Sequence, residues 1–230
     1  MFPLKDDNPT SITPWLTWSI ILLCVLIFLW QLSLGTANHQ AVFAFGMIPA
    51  VLFQNAQLSE GLDVIPSWAT VFTSMFLHGG WMHIIGNMIY LWIFGDNVEA
   101  VMGRARFLVF YLACGAAAAM AQALPDTTSQ TPMIGASGAI AGVLGAYLLL
   151  FPRAKVIVWF PLGFIMLTQR VPAGLVLGFY FVVQLYSTLT MDMSGGGVAF
   201  AAHLGGFIAG MMLIPFFKHK HVRLFAPARD

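Results

Sequence analysis

Residues 135–151 read GASGAIAGVLGAYLLLF, a run with no charged side chain and one serine, Ser137, near its start. About 17–25 residues of this kind are long enough to cross the hydrocarbon core of a bilayer as a helix. Comparable apolar blocks occur at about 14–34, 80–98, 107–124, 171–189 and 199–217. Together they predict an all-α integral membrane protein with six transmembrane helices.

Composition agrees with this. The chain is 59% hydrophobic and only 8% charged, whereas soluble domains carry about 25% charged residues. One membrane domain over 1–230 is expected, with a core at about 14–217 and cytoplasmic termini at 1–13 and 218–230. The block at 14–34 is longer than the apolar core of a secretory signal and lacks a small-residue cleavage site, so it reads as the first span. Cys24 and Cys114 both sit within apolar blocks, where thiols pack as core. No disulfide, metal or cofactor is expected.

The loops settle an orientation. Lys5, Arg104, Arg106, Arg153, Lys155, Arg170, Lys218, Lys220, Arg223 and Arg229 all fall at the termini or in the second and fourth loops. The other three loops carry only the acids Glu60, Asp63, Asp126 and Asp192. Lys and Arg stay on the cytoplasmic side, so both termini are predicted inside, with a bacterial inner membrane as the expected location. The net charge of +1 singles out no partner; the lipid bilayer is one, and no nucleic-acid partner is expected.

Two stretches depart from a simple count of spans. The segment from about Thr36 to Gly79 is too long for an ordinary connection and is expected to hold structure of its own. Its apolar run Val42–Phe53 is interrupted by Gly46 and Pro49, which predicts a segment lying in the outer interface. The apolar run Val156–Leu167 is too short to span and is bracketed by Arg153, Lys155 and Arg170. It is expected at the cytoplasmic surface.

Strongly polar side chains inside the hydrocarbon are costly and mark candidate sites. His83 and Asn87 lie on the second span, Ser137 on the fourth and His203 on the sixth, with His78 just before the second. Taken singly, each has a structural explanation as a crosslink or a packing residue. Their shared depth is more telling. All three spans enter from the outer side, and the four residues lie within about two turns of that entry.

Faces agree as well. Ser137, Ala141 and Gly145 recur every four residues, and His203, Gly206 and Gly210 share a face. Packing these small-residue stripes together would bring Ser137 beside His203, the nucleophile and base arrangement of covalent catalysis. None of the nine acids lies inside a span near His203, so the pair is expected without a carboxylate, its imidazole held by packing or other hydrogen bonds. His83 and Asn87, four apart, can offer N–H groups to an oxyanion together with the Ser137 backbone N–H. The small residues of Gly135-Ala136-Ser137-Gly138 leave that amide uncovered.

From about Trp68 to Phe216 the sequence resembles the rhomboid family of intramembrane serine proteases. The matching pieces are His78-Gly-Gly-Trp-Met-His83-Ile-Ile-Gly-Asn87, Gly103-Arg104, Gly135-Ala-Ser137-Gly138, and Ala202-His203-Leu-Gly-Gly206 with Gly210. The resemblance implies a rhomboid-like bundle, a Ser137 nucleophile, a His203 base, His83 and Asn87 as oxyanion donors and a supporting His78. It also implies a long first outer loop lying partly in the membrane and, as substrates, single-span or polytopic membrane proteins.

Two departures stand out. Many relatives carry an aromatic residue one turn after the nucleophile, stacked on the base, where this chain has Ala141. Some carry Trp-Arg in the first outer loop, where Trp68 is followed by Ala69. The main alternative is a rhomboid-like pseudoprotease that binds transmembrane segments without cutting them, although such proteins have normally lost the Ser or the His. A transporter is disfavoured because no span has an acidic or basic residue near its centre. A metalloprotease is disfavoured because His-Glu-x-x-His is missing. His219 and His221 stand among Lys218, Lys220 and Arg223, a basic stretch suited to anionic lipid.

Overall fold

Glycine and alanine are concentrated in the third, fourth and sixth apolar blocks, and helices built from such residues can approach until their backbones touch. The computed structural model, which describes residues 2–10, 12–162, 165–190 and 199–225, is arranged around that approach. In chain order it contains β1 (Phe2–Asp6), α1 (Trp15–Ser33), α2 (Asn38–Phe45), α3 (Pro49–Leu52), α4 (Thr70–Thr73), α5 (Trp81–Met102) and α6 (Arg104–Ala123). There follow α7 (Ser137–Leu150), β2 (Lys155–Leu162), β3 (Ile165–Pro172), α8 (Ala173–Thr190) and α9 (Phe200–Phe217). Asp192 and Arg229, counted among the loop charges above, lie outside the described residues.

The chain is mostly helical. Four helices, α1, α6, α8 and α9, are long and apolar enough to cross a membrane. The apolar α7 is shorter, and α5 carries Asp96 and Glu99 towards its end. Helix α7 packs against α5, α6, α8 and α9, and its side chains from Gly138 to Tyr147 are all buried. A β-carbon on Gly206 would collide with the carbonyl oxygen of Gly138, one on Gly210 with that of Gly142, and one on Gly145 with that of Phe207. On its α6 side, β-carbons on Gly138 and Gly142 would collide with Ala118 and Cys114. The glycines at the closest approach are thus Gly138, Gly142 and Gly145, so Gly142 joins the expected stripe. Ala141 is fully buried within the core.

An all-helical reading omits a three-stranded antiparallel sheet of order β1-β2-β3. Its register pairs Asp6 with Val156 and Lys155 with Pro172, with an irregularity between Pro3 and Lys5. Val156 and Val158 are buried while Lys155 between strand and turn is exposed, the alternation expected of a sheet with one covered face. A short apolar run does not reveal by periodicity whether it is strand or helix.

Several polar residues at the end of α7 remote from Ser137 are hydrogen-bonded from one element to another. Buried Glu99 accepts hydrogen bonds from the Leu16 N–H (3.1 Å), the Thr17 N–H (2.8 Å) and the Thr17 hydroxyl (2.7 Å). It thereby satisfies the open first turn of α1 and places negative charge at the helix's positive end. Asp96 accepts from the Thr10 hydroxyl at 3.0 Å. Asp6 accepts from the Tyr147 hydroxyl and, at 3.1 Å, from the Asn97 amide.

The segment between α1 and α5 is broken where Gly46 and Pro49 stand, Gly46 extended and Pro49 opening α3. It is tied by backbone to the connection that leads into α7. Met47 and Met133 exchange hydrogen bonds (3.1 and 2.7 Å), and the Ala50 N–H donates to the Ser129 carbonyl at 2.9 Å. The Gly135 N–H donates to the Ser74 carbonyl at 2.8 Å, fixing the turn before Ser137.

Burial pushes Asp6 up to about 7; the Tyr147 hydrogen bond opposes this, and the charges of Asp96 and Asp7 add to it. A carboxyl raised in this way stabilises the fold while protonated. That contribution is complete below its unfolded value of 3.8 and is lost as pH rises through about 7. Thermal unfolding in detergent should therefore show stability falling between about pH 4 and 7. Asp6→Asn, which stays neutral, should flatten that slope, and an unchanged slope would contradict the assignment.

Candidate active site

Ser137 is the first residue of α7, so its backbone N–H has no partner within the helix. His203 lies in the first turn of α9, its N–H bonded to the Ala199 carbonyl at 3.1 Å. The α7–α9 backbone contact closes the gap between them: His203 Nε2 is 2.7 Å from Ser137 Oγ. On the other side of the ring, His203 Nδ1 is 2.9 Å from Oε1 of Gln184, a buried residue of α8. A carbonyl oxygen only accepts, so Nδ1 carries the proton and Nε2 presents its lone pair to the serine hydroxyl. In the neutral ring this arrangement makes Ser137 the donor to Nε2.

The second span supplies the groups facing the turn before Ser137. His83 Nδ1 accepts the Gly79 N–H at 3.2 Å, which leaves the ring proton on Nε2. That Nε2 would stand only 2.6 Å from a β-carbon on Gly135, with Asn87 Nδ2 at 3.7 Å from the same point. Gly135 also has φ +121°, a conformation that other residues rarely adopt. Glycine is required there twice over. Asn87 is buried and its Nδ2 has no hydrogen-bond partner. Leaving such a donor open costs about 1–3 kcal/mol, so its presence beside Ser137 calls for a ligand that would accept from it.

His78 is buried just ahead of α5, its N–H donated to Gln31 Oε1 of α1 at 2.8 Å and its Nδ1 3.3 Å from the Phe76 carbonyl. Its ring meets His83 edge-on at 5.2 Å and so buttresses that side chain. Gly138, Gly145, Gly206 and Gly210 serve the helix contact, as described above, rather than the site itself. A cavity of about 820 Å³ opens over the group, lined by Ser137, His203, His83, Asn87, Tyr90 and Leu144 among others. Among the described residues, no set of three or more His, Cys, Asp or Glu is placed to hold a metal ion.

The structure therefore brings Ser137, His203, His83 and Asn87 to one cavity, with Gly135 against His83 and Asn87 and His78 behind His83. Sequence reasoning missed Gln184. The available signal was a lone amide in the otherwise apolar 173–185 stretch, which is expensive in hydrocarbon unless partnered. The position one turn after Ser137, Ala141, makes no ring contact with His203; the ring near it is Phe200, edge-on at 6.5 Å.

Gly135→Ala should lower stability by about 1–3 kcal/mol through its backbone conformation alone, and further through the clash with His83. Adding His83→Ala should recover the clash but not the backbone part. A double-mutant cycle in detergent unfolding measures the coupling, and additive losses would mean that the two residues do not touch.

Known proteins of one family are similar to this chain. A family model of the rhomboid domain matches residues 66–220. The chain is 29% identical to rhomboid protease GluP of Bacillus subtilis over 86% of its own length and 34% of that protein. It is 30% identical to mitochondrial rhomboid protein 1 of Saccharomyces cerevisiae over 75% of its length and 49% of that protein. It is 25% identical to rhomboid protease AarA of Providencia stuartii over 91% of its length and 78% of that protein. The chain thus spans about a third to a half of the first two relatives. With the match covering well over half of its residues, the chain belongs to the rhomboid family.

Proposed function

We propose that this chain is an intramembrane serine endopeptidase that cuts transmembrane segments of other membrane proteins. The observation that carries this reading is the 2.7 Å hydrogen bond between Ser137 Oγ and His203 Nε2 across two helices. In this reading a single membrane domain has six spans, α1, α5, α6, α7, α8 and α9. Both termini and the sheet face the cytoplasm with the Lys and Arg residues, and the loop between α1 and α5 lies partly in the outer leaflet. Helix α7 rises only about 21 Å over its 14 residues, less than the roughly 30 Å hydrocarbon core. A helix that begins below the outer surface sets its first residue, Ser137, at the depth where a substrate helix would be cut.

The reaction follows from the proton positions. Ser137 Oγ attacks the scissile carbonyl carbon while His203 Nε2 takes the hydroxyl proton. The carbonyl electrons pass to oxygen, and the oxyanion receives hydrogen bonds from the Ser137 backbone N–H, His83 Nε2–H and Asn87 Nδ2. Collapse of this intermediate breaks the C–N bond as His203 returns its proton to the leaving amine. Water then repeats the sequence on the acyl-enzyme, with His203 again as base. No metal or cofactor takes part in these steps.

Purified protein incubated in detergent with a panel of single-span substrates should cleave at least one of them. Ser137→Ala and His203→Ala should each abolish turnover, and the double variant should be little worse, because the two act as one unit. Turnover by Ser137→Ala would refute the nucleophile. Binding without cleavage by the unmodified protein would point instead to the pseudoprotease reading.

Asn87→Ala separates catalysis from scaffolding. Loss of an oxyanion donor should lower kcat by about 10²–10³-fold with little change in KM. A structural crosslink would instead cost about 0.6–2 kcal/mol of stability. Parallel kinetics and unfolding of this variant distinguish the two.

A further inference from the structure

Serine hydrolases commonly orient their base with a carboxylate, which holds the imidazole in the productive tautomer. Among the described residues no carboxylate bonds His203, and the position one turn after the nucleophile is Ala141, whose methyl group cannot stack on a ring. The imidazole would then be free to turn about its side-chain torsions, yet the structure holds it from a third helix. Gln184 of α8 is buried, and its Oε1 lies 2.9 Å from His203 Nδ1, opposite the 2.7 Å contact of Nε2 with Ser137. We propose that Gln184 is the positioning residue of the base, a neutral third member that aligns His203 through the Oε1 to Nδ1–H hydrogen bond.

The chemistry explains why an amide serves. A carboxylate in this setting would have to be kept charged in hydrocarbon, whereas an amide needs only hydrogen-bond partners. An acceptor oxygen at Nδ1 selects the tautomer that leaves Nε2 unprotonated, and it can still accept when the ring becomes cationic. The amide carries no full charge, so it orients the base more than it stabilises the cation. The rest of Gln184's neighbourhood gives α8 its seat on α9 through apolar side chains, since Phe181 meets Phe207 at 5.2 Å between ring centres. Losing the amide therefore need not unseat the helix.

This inference rests on the protease reading, and the test separates the two. Unmodified protein, Ser137→Ala, Gln184→Leu and Gln184→Glu are purified in the same detergent and assayed on one cleaved single-span substrate, with thermal unfolding in parallel. Gln184→Leu should lower kcat by about 10–100-fold, as for other groups that orient a catalytic side chain, with KM and unfolding midpoint nearly unchanged. Gln184→Glu, which restores an acceptor oxygen at the same reach, should recover most of that loss. Nitrogen NMR of the labelled His203 ring should report one tautomer in unmodified protein and a mixture in Gln184→Leu. An unchanged kcat in Gln184→Leu overturns the proposal, as does a loss that only follows unfolded protein and is not rescued by glutamate. If unmodified protein and Ser137→Ala are equally inactive, the protease reading fails and takes this inference with it.

Discussion

The contact between the backbones of α7 and α9 is the constraint on which the rest depends. Gly206 and Gly210 lie against the carbonyls of Gly138 and Gly142, where no β-carbon fits. In a bilayer there is no hydrophobic drive to push one apolar helix onto another, so close packing of small residues supplies the attraction instead. The same contact sets a distance. Ser137 and His203 begin their helices on the same end of this seam, and a seam any wider would part the 2.7 Å hydrogen bond between them. Packing and chemistry here are one geometric fact.

Polar groups gather at both ends of α7. Around Ser137 they are left with open valences: Asn87 Nδ2 and His78 Nε2 have no partner. At the far end Glu99 is saturated by the first turn of α1, and Asp6 takes both Tyr147 and Asn97. Hydrogen bonds of this kind rigidify the far end, although the buried Asn8 amide there, like Tyr111 Oη, also lacks a partner.

Much of this was legible in the sequence because hydrocarbon makes polar residues conspicuous. The depth argument for Ser137, His203, His83 and Asn87 needs only the apolar blocks and their direction, and the structure brings all four to one cavity. The glycine spacing likewise announced the α7–α9 seam, apart from Gly142. Gln184 escaped because its partner sits 19 residues away on another helix, and spacing along one chain does not reveal which faces meet. The sheet escaped for a different reason. Strand β2 is a short apolar run that periodicity cannot assign, β3 runs from its apolar start into Thr168, Gln169 and Arg170, and β1 lies close ahead of the first long helix.

The segment between α1 and α5 is fastened to the connection before Ser137 largely by peptide groups, through Met47 with Met133, Ala50 with Ser129 and Gly135 with Ser74, with the Asn55 amide on the Thr127 carbonyl as a side-chain tie. A peptide group is the same whatever residue carries it. The outward-facing side chains of this segment, Gln57, Glu60, Val64 and Trp68 among them, are therefore released from any duty to the site. They can change without disturbing the backbone contacts that shape the turn before Ser137.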